Sequence, residues 1–437
     1  MPERWAVVGG GMLGMALAAK LAEAGNDVTL LERSVDLGGL AASWQVGDVV
    51  WDRHYHVILS VDSALLTLLE DLDLDVRWRT TRTGLYAGGE LHSVSSTAEY
   101  LRLPVLGPMA KARIGLTMLA ASRRRDWGPL EEMTAEQWLI RWSGTQAYQS
   151  FWRPLLRSKL GDLAEQASAA FIWAVLRRLY SARRSGAKRE MLGFVPGGYA
   201  VIIDAMGEAL RAAGVTMQTG AEVRSVVSDD GGVVVTTATT GPATFDRVVV
   251  TAAAPVAARL VPQLTDRERQ RCADVAYMGI VCPSVVLDRP LGGFYTTNIT
   301  DSGLPFTGVI EMSALVDDFA GATLAYLPRY IPADDPLLGA DDDAIVDQFL
   351  GGLRTMFPDL AEGSVRAARV SRVRYVLPVP TVGYSRRLPP MRTSVRGVSL
   401  VNSAHIVNGT LNVDETLRLA DGALTVITEP RPVARLP

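Results

Sequence analysis

The chain opens on a short apolar run, Trp5-Ala6-Val7-Val8, of the kind that makes a parallel strand buried on both faces. Gly9-Gly10-Gly11-Met12-Leu13-Gly14 follows at once. Residues 15–24 are then rich in Ala and Leu, a helical stretch that Gly25-Asn26 closes. Val28-Thr29-Leu30-Leu31 is a second apolar run with Glu32 at its end, so the unit reads strand, glycine turn, helix, strand. Residues 64–72 have the spacing of an amphipathic helix, and 85–91 that of a hairpin turning at Gly88-Gly89. From about 96 to 189 the pattern is helical and rich in Arg, Trp and Leu, until Gly193-Phe194-Val195-Pro196-Gly197-Gly198-Tyr199 breaks it. A helix is expected over 201–213, and strands over 215–217, 221–223, 233–237 and 247–251. Strand patterns predominate from about 255 to 380, interrupted by an acidic helix near 341–357. The chain closes with a strand at 398–402, the polar turn Asn408-Gly409-Thr410-Leu411-Asn412 and a helix through 419–426.

Composition narrows this little. At 437 residues, 48% hydrophobic and 21% charged, the chain is ordinary for a globular enzyme of two domains. A net charge of −3 supplies no basic field for nucleic acid. Cys272 and Cys282 form neither a disulfide framework nor a metal-ligand spacing, so no metal is expected and a reduced, cytoplasmic compartment is. Neither a signal-peptide pattern nor a run of about 18 uncharged apolar residues occurs, and the chain reads as soluble. The oligomeric state is open. The stretch 103–121, followed by Arg123-Arg124-Arg125, fits a buried amphipathic helix with a solvated basic end, or else a helix resting on a membrane surface.

The glycine turn carries chemistry. Gly9 allows a tight turn, Gly11 lets the backbone approach a pyrophosphate, and Gly14 lets helix and strand pack closely. Met12 and Leu13 stand within the cofactor-binding turn, and the helix N-terminus that follows offers unpaired N–H groups to phosphate. Glu32 stands about 20 residues on, where a carboxylate accepts hydrogen bonds from ribose hydroxyls.

Glu32-Arg33, a spacer, and Gly38-Gly39-Leu40-Ala41 resemble the extended signature of FAD enzymes in the amine oxidase, protoporphyrinogen oxidase and phytoene desaturase superfamily. Further segments are similar to its bacterial protoporphyrinogen-oxidase-like members: Asp52-Arg53-His54-Tyr55-His56, the stretch Pro154-Leu155-Leu156-Arg157-Ser158-Lys159-Leu160-Gly161, Pro305-Phe306-Thr307-Gly308-Val309-Ile310-Glu311, and Ala325-Tyr326-Leu327-Pro328-Arg329-Tyr330. The resemblance covers nearly the whole chain. It implies a Rossmann-like α/β FAD-binding domain (GR2-type) made of three segments, 1–85, 191–255 and 386–437, with a discontinuous α+β substrate domain. A helical substrate or cap region over 86–190 and a sheet over 256–385 would build that domain. By the same resemblance Gly38-Gly39 passes beside the FAD phosphates, Val223 holds the adenine through its backbone, and Leu411-Asn412 leads the final helix toward the flavin. The superfamily often carries Arg where Leu40 stands, and an acid and Arg where 404–409 reads Ala-His-Ile-Val-Asn-Gly.

Candidate catalytic groups are those the implied architecture brings to the ring. Arg53, His54, Tyr55 and His56 read as strand, which would set His54 and His56 on one face and Arg53 and Tyr55 on the other. His56 is a candidate base, although a strand histidine is commonly a structural hydrogen-bonder; His405 precedes the flavin-facing helix; His92 reads as surface. Lys159 is considered because a lysine holding water near flavin recurs in amine oxidases, against a solvated helix lysine. Glu311, Arg329 and Tyr330 could hold a polar substrate or form ordinary ion pairs. The resemblance implies an FAD-dependent oxidoreductase acting on a small or medium-sized organic substrate at a C–N, C–O or C–C bond, in secondary-metabolite or polysaccharide synthesis. A non-redox sugar mutase resembling UDP-galactopyranose mutase and a polyprenoid desaturase are the alternatives.

Overall fold

The computed structural model describes residues 2–104, 106–183, 191–407 and 409–429. Its organising element is a five-stranded parallel sheet in the order Val398–Leu400, Arg247–Val250, Arg4–Val8, Asp27–Leu31, Thr216–Gln218. Trp5 and Val7 of the first strand pack into one core with the helices Met12–Glu23, Tyr199–Ala212 and Val413–Thr428; Ala6 and Val8 pack into another beneath the strands Val223–Asp229, Gly232–Thr237 and Gly241–Phe245. Both faces are covered, which is why these strands are continuous apolar runs rather than alternating ones.

The second sheet runs Arg329–Pro332, Tyr277–Leu287, Thr323–Tyr326, Gly308–Glu311, Thr296–Ile299, Thr83–Ala87, Glu90–Ser93, with Val365–Pro378 also paired to Tyr277–Leu287. Tyr277–Leu287 is buried throughout: Ile280, Cys282 and Val286 face one core, Val281, Val285 and Leu287 the other. Helix Asp342–Met356 covers the latter with Ile345, Phe349 and Leu353. Helices Pro108–Arg123, Ala135–Ser143 and Ala169–Arg183 form a layer at one end, pinned by the Trp173 indole donating to the Ala121 carbonyl at 3.0 Å. Pro108–Arg123 buries Ala110, Ile114, Thr117 and Ala121, while Met109 and Leu116 stay exposed.

The expected division at 85/86 falls inside the strand Thr83–Ala87, which pairs in parallel with Thr296–Ile299 and so extends the second sheet. That at 255/256 falls inside helix Ala254–Leu260, packed against the parallel sheet. That at 385/386 falls inside the helical turn Tyr384–Arg387. The end of the helical reading, 184–189, and Asn408 lie outside the described residues.

Candidate functional site

The strand Arg4–Val8 (β1) stops where Gly9 takes φ +113°, and helix Met12–Glu23 (α1) begins after Gly11. A Cβ on Gly14 would lie 1.8 Å from the Gly9 carbonyl oxygen, so only glycine permits this approach of helix and strand. Gly11 gives α1 no side-chain cap, and the first helical bond runs from the Met15 amide to the Gly11 carbonyl. The amides of Met12, Leu13 and Gly14 therefore point outward from the helix start without an intrahelical acceptor. A Cβ on Gly11 would meet only glycine backbone, Gly39 at 3.9 Å and Gly38 at 4.0 Å.

Glu32 ends the strand Asp27–Leu31 (β2). One carboxylate oxygen accepts from the Gly10 amide at 2.6 Å, the other from the Ser34 amide at 2.8 Å. Each oxygen keeps a second lone pair for a hydroxyl donor. The second glycine pair docks on the first: the Gly38 amide donates to the Gly10 carbonyl at 2.8 Å, and a Cβ on Gly39 would lie 3.1 Å from the Gly11 Cα. The Ala221 amide donates to the Glu32 carbonyl, which brings buried Val223 to the same end of the sheet. Arg33 is exposed and Leu40 half-buried, so position 40 contributes no cation. Unpaired amides, an open glycine surface and a carboxylate with lone pairs to spare lie together at the ends of β1 and β2, the groups that a diphosphate and a ribose need. These residues fit FAD.

At the other end, Asn412 caps helix Val413–Thr428, its Oδ1 accepting from the Glu415 amide at 2.9 Å, and Leu411 packs against the helical layer. Asp414 in turn accepts from the Ala64 and Leu65 amides at 2.7 and 3.1 Å, capping helix Ser63–Asp71 from 350 residues away.

The strand Val49–Asp52 ends before the histidines, so the strand alternation expected at 53–56 does not apply. His54 and His56 turn to different elements. His54 is buried with Nε2 3.3 Å from the Ser371 hydroxyl; burial, then the neighbouring His56 and Arg53 charges, lowers its pKa to about 3. His56 stacks on Tyr199, ring centroids 4.8 Å apart, with Nδ1 3.6 Å from a carboxylate oxygen of buried Asp52. The other Asp52 oxygen accepts from the Tyr199 amide at 2.8 Å. Arg53 points away: its guanidinium and that of Arg369 both lie over Trp44, at 5.6 and 4.5 Å.

Tyr55 reaches Tyr330, its hydroxyl lying 2.9 Å from that of Tyr330. Lys159 is exposed on its helix, and its Nζ lies 5.9 Å from the Tyr330 ring centre. Desolvation by the surrounding protein and then the charge of Arg178 lower its pKa, while burial pushes the Tyr330 phenol up to about 12. Arg178 went unnoticed in the sequence. It donates to both oxygens of buried Asp62 at 2.9 Å and to the Thr410 hydroxyl at 3.3 Å, joining the helical layer to the loop before the last helix. Burial still raises the Asp62 pKa against the pull of Arg178.

Other candidates serve structure. His405 has both ring nitrogens engaged by backbone: Nδ1 accepts from the Asn402 amide at 3.1 Å and Nε2 faces the Pro389 carbonyl at 3.1 Å, so it fixes its own loop. Glu311 is buried, accepting from the Leu291, Gly292 and Gly293 amides, and Arg329 donates to the Pro305 carbonyl. His92 is half-buried, Nε2 3.3 Å from the Ala87 carbonyl, rather than free on the surface. Among the described residues no group of His, Cys, Asp and Glu is arranged to hold a metal, and no helix is long and apolar enough to cross a membrane.

The model of the family described as flavin containing amine oxidoreductase matches residues 13–413. A carotenoid phi-ring synthase of Streptomyces griseus is 26% identical over 426 residues, covering 89% of this chain and 80% of the relative. Among solved structures, a protoporphyrinogen-oxidase-like protein from Exiguobacterium sp. 255-15 superposes with a TM-score of 0.76 at 18% identity, over 98% of this chain and 99% of its own. Reduced UDP-galactopyranose mutase superposes with a TM-score of 0.75 at 16% identity, over 98% and 96%. These two likenesses establish the fold.

Proposed function

The chain belongs to the flavin-containing amine oxidoreductases, enzymes that use FAD, and on that premise we propose that it oxidises a C–N, C–O or C–C bond of a small or medium-sized organic substrate. The observation that carries this is the Tyr55–Tyr330 hydroxyl pair with Lys159 beside the Tyr330 ring, and the His56–Asp52 pair on the segment leading from Gly38-Gly39. Bound FAD supplies the hydride acceptor. The protein has to orient the donor carbon, take the accompanying proton and keep water out.

Tyr55, Tyr330 and Lys159 bind and orient the substrate. His56 takes the proton, with the Asp52 carboxylate 3.6 Å from Nδ1 to balance the charge that the ring then carries. Asp52 is a positioning residue, itself held by the amide at the start of helix Tyr199–Ala212. The Arg178 contacts with Asp62 and Thr410 hold the helical layer against the FAD domain and limit entry of water.

Anaerobic titration of the purified yellow protein with candidate donors tests this. Bands near roughly 370 and 450 nm should bleach with one donor and return with an acceptor. Turnover that appears only after chemical reduction, with no net electron transfer, would replace oxidation by mutase-type chemistry. A second reading, dehydrogenation of a polyprenoid, is favoured by the carotenoid synthase relative together with the exposed Leu101, Met109 and Leu116 beside arginines of the helical layer. Vesicle binding that Met109→Ser and Leu116→Ser abolish would support it.

A further inference from the structure

Arg53 and Arg369 come to one indole from two sides of a joint. Arg53 follows the strand Val49–Asp52, in the hairpin that begins just after the second glycine pair, and its amide donates to the Ala42 carbonyl at 2.9 Å. Arg369 lies on Val365–Pro378 of the second sheet, opposite Ser284. Both guanidiniums converge on Trp44 of the hairpin, 5.6 and 4.5 Å from its ring centre. An indole face attracts a cation but carries no net charge to cancel it. Elsewhere in the chain such a contact is completed by an acid: Arg247 lies over Trp5 at 5.4 Å and pairs with Glu3 at 3.0 Å. At Trp44 there are two cations and, among the described residues, no acid paired with either.

The acids nearby do not fill that role. Asp52, next to Arg53 in the chain, is buried with one oxygen on the Tyr199 amide and the other 3.6 Å from His56. Asp36 is exposed and attracts Arg53 only through space; burial and then the Arg369 charge outweigh it and lower the Arg53 pKa. Donor capacity is equally unspent. Arg369 gives one N–H to the Gln45 carbonyl at 3.0 Å, and the Arg53 guanidinium makes no hydrogen bond among the described residues. Guanidinium groups pair with phosphoryl oxygens through two parallel N–H bonds. Two such forks beside one ring suit an anion charged at both ends, whereas a single carboxylate would leave one of them unpaired. We propose that Arg53 and Arg369 form, beside Trp44, a binding site for a diphosphate group, either free or carried on an organic ester. The site is separate from the α1 amides that face the FAD diphosphate, and it stands whether or not the oxidation reading does.

The test uses the full-length FAD-loaded protein in magnesium-free buffer at fixed ionic strength, with calorimetry as the readout. The probes are pyrophosphate, orthophosphate and isopentenyl diphosphate. Pyrophosphate should bind saturably and about tenfold or more tightly than orthophosphate, which can engage only one end of the site. Arg53→Gln and Arg369→Gln should each weaken it about ten- to a hundredfold, the range expected for a lost charge-assisted hydrogen bond. Arg386→Gln, which alters a surface arginine paired with Glu132 elsewhere, should leave it unchanged. Both site variants should stay yellow through gel filtration. Isopentenyl diphosphate binding as well as pyrophosphate identifies an ester as an occupant, and pyrophosphate binding alone identifies the free ion; either supports the site. Pyrophosphate that does not saturate, shows no preference over orthophosphate, or survives the two substitutions combined overturns the proposal. Loss of flavin from either variant does the same, because it assigns the pair to the cofactor. Should Arg53→Gln not fold, the exposed Arg369 still permits the deciding substitution.

Discussion

Glu32→Ala removes the acceptor of two backbone amides at once, and its cost can be worked from the contacts. The bond from Gly10 is short, 2.6 Å, and partly buried, and a hydrogen bond to a charged group there contributes about 1.5–3 kcal/mol. The bond from Ser34, at 2.8 Å, is exposed and contributes about 0.5–1 kcal/mol. The apoprotein should therefore lose about 2–4 kcal/mol, a fall in Tm of roughly 5–10 °C for a domain of this size. Loss of the ribose acceptor adds a separate effect, about ten- to a hundredfold in the Kd for FAD. Glu32→Gln keeps one carbonyl oxygen and turns an amide N–H₂ toward the other donor, so it should fall between the two. The assays are thermal unfolding of flavin-stripped protein and quenching of FAD fluorescence on titration back. An alanine variant with unchanged apoprotein Tm and unchanged FAD affinity would refute both roles given to this carboxylate.

Gly14→Ala forces a methyl against the Gly9 carbonyl, so the purified variant should be colourless or insoluble; a yellow, stable protein would contradict the packing described for α1. Arg178→Ala leaves Asp62 buried without its cation, which should destabilise by about 3–5 kcal/mol, visible as a lower Tm and easier proteolysis of the helical layer. Arg178→Ala with an unaltered Tm would remove the latch. His54 titrates near 3 in the fold against 6.5 when exposed, so below about 6.5 the unfolded chain binds a proton that the native one refuses. Stability should fall as pH drops from about 6.5 toward 3, and His54→Asn should flatten the slope of Tm against pH between 6.5 and 5; an unchanged slope would place the proton elsewhere.

The cofactor half was legible because its parts are contiguous. Gly9 to Gly14, α1 and Glu32 make one local unit whose geometry follows from residue type, and Gly38-Gly39 docks on it within thirty residues. The grouping of Tyr55, Tyr330 and Lys159 was legible only in pieces. Tyr330 and Lys159 belong to segments that fold topology brings together, and the surroundings of Lys159 are invisible along its helix. Arg178 is one arginine among many until Asp62, 116 residues away, is placed against it. Reading 53–56 as strand failed because the pairing with Ser43–Val46 ends at Asp52, and each side chain then follows its own neighbour. A signal for Asp62 was present: an acid just before a helical run is a favoured cap position. It accepts from the Leu59 amide instead, and Asp414 takes over the helix start.

The parallel sheet interleaves the two ends of the chain, with Arg4–Val8 between Asp27–Leu31 and Arg247–Val250, and Val398–Leu400 along the edge. On a ribosome adding roughly 5–20 residues per second, that edge strand emerges some 20–80 s after the first. Until then the apolar strand Arg247–Val250 has one flank bare, and the helix Val413–Thr428 that caps the far end of the site does not exist. Flavin capture therefore waits for the finished chain. During synthesis the competing fate is association of that uncovered strand with another nascent copy, so slow cooling of expression cultures should raise the yield of yellow protein more than added flavin does.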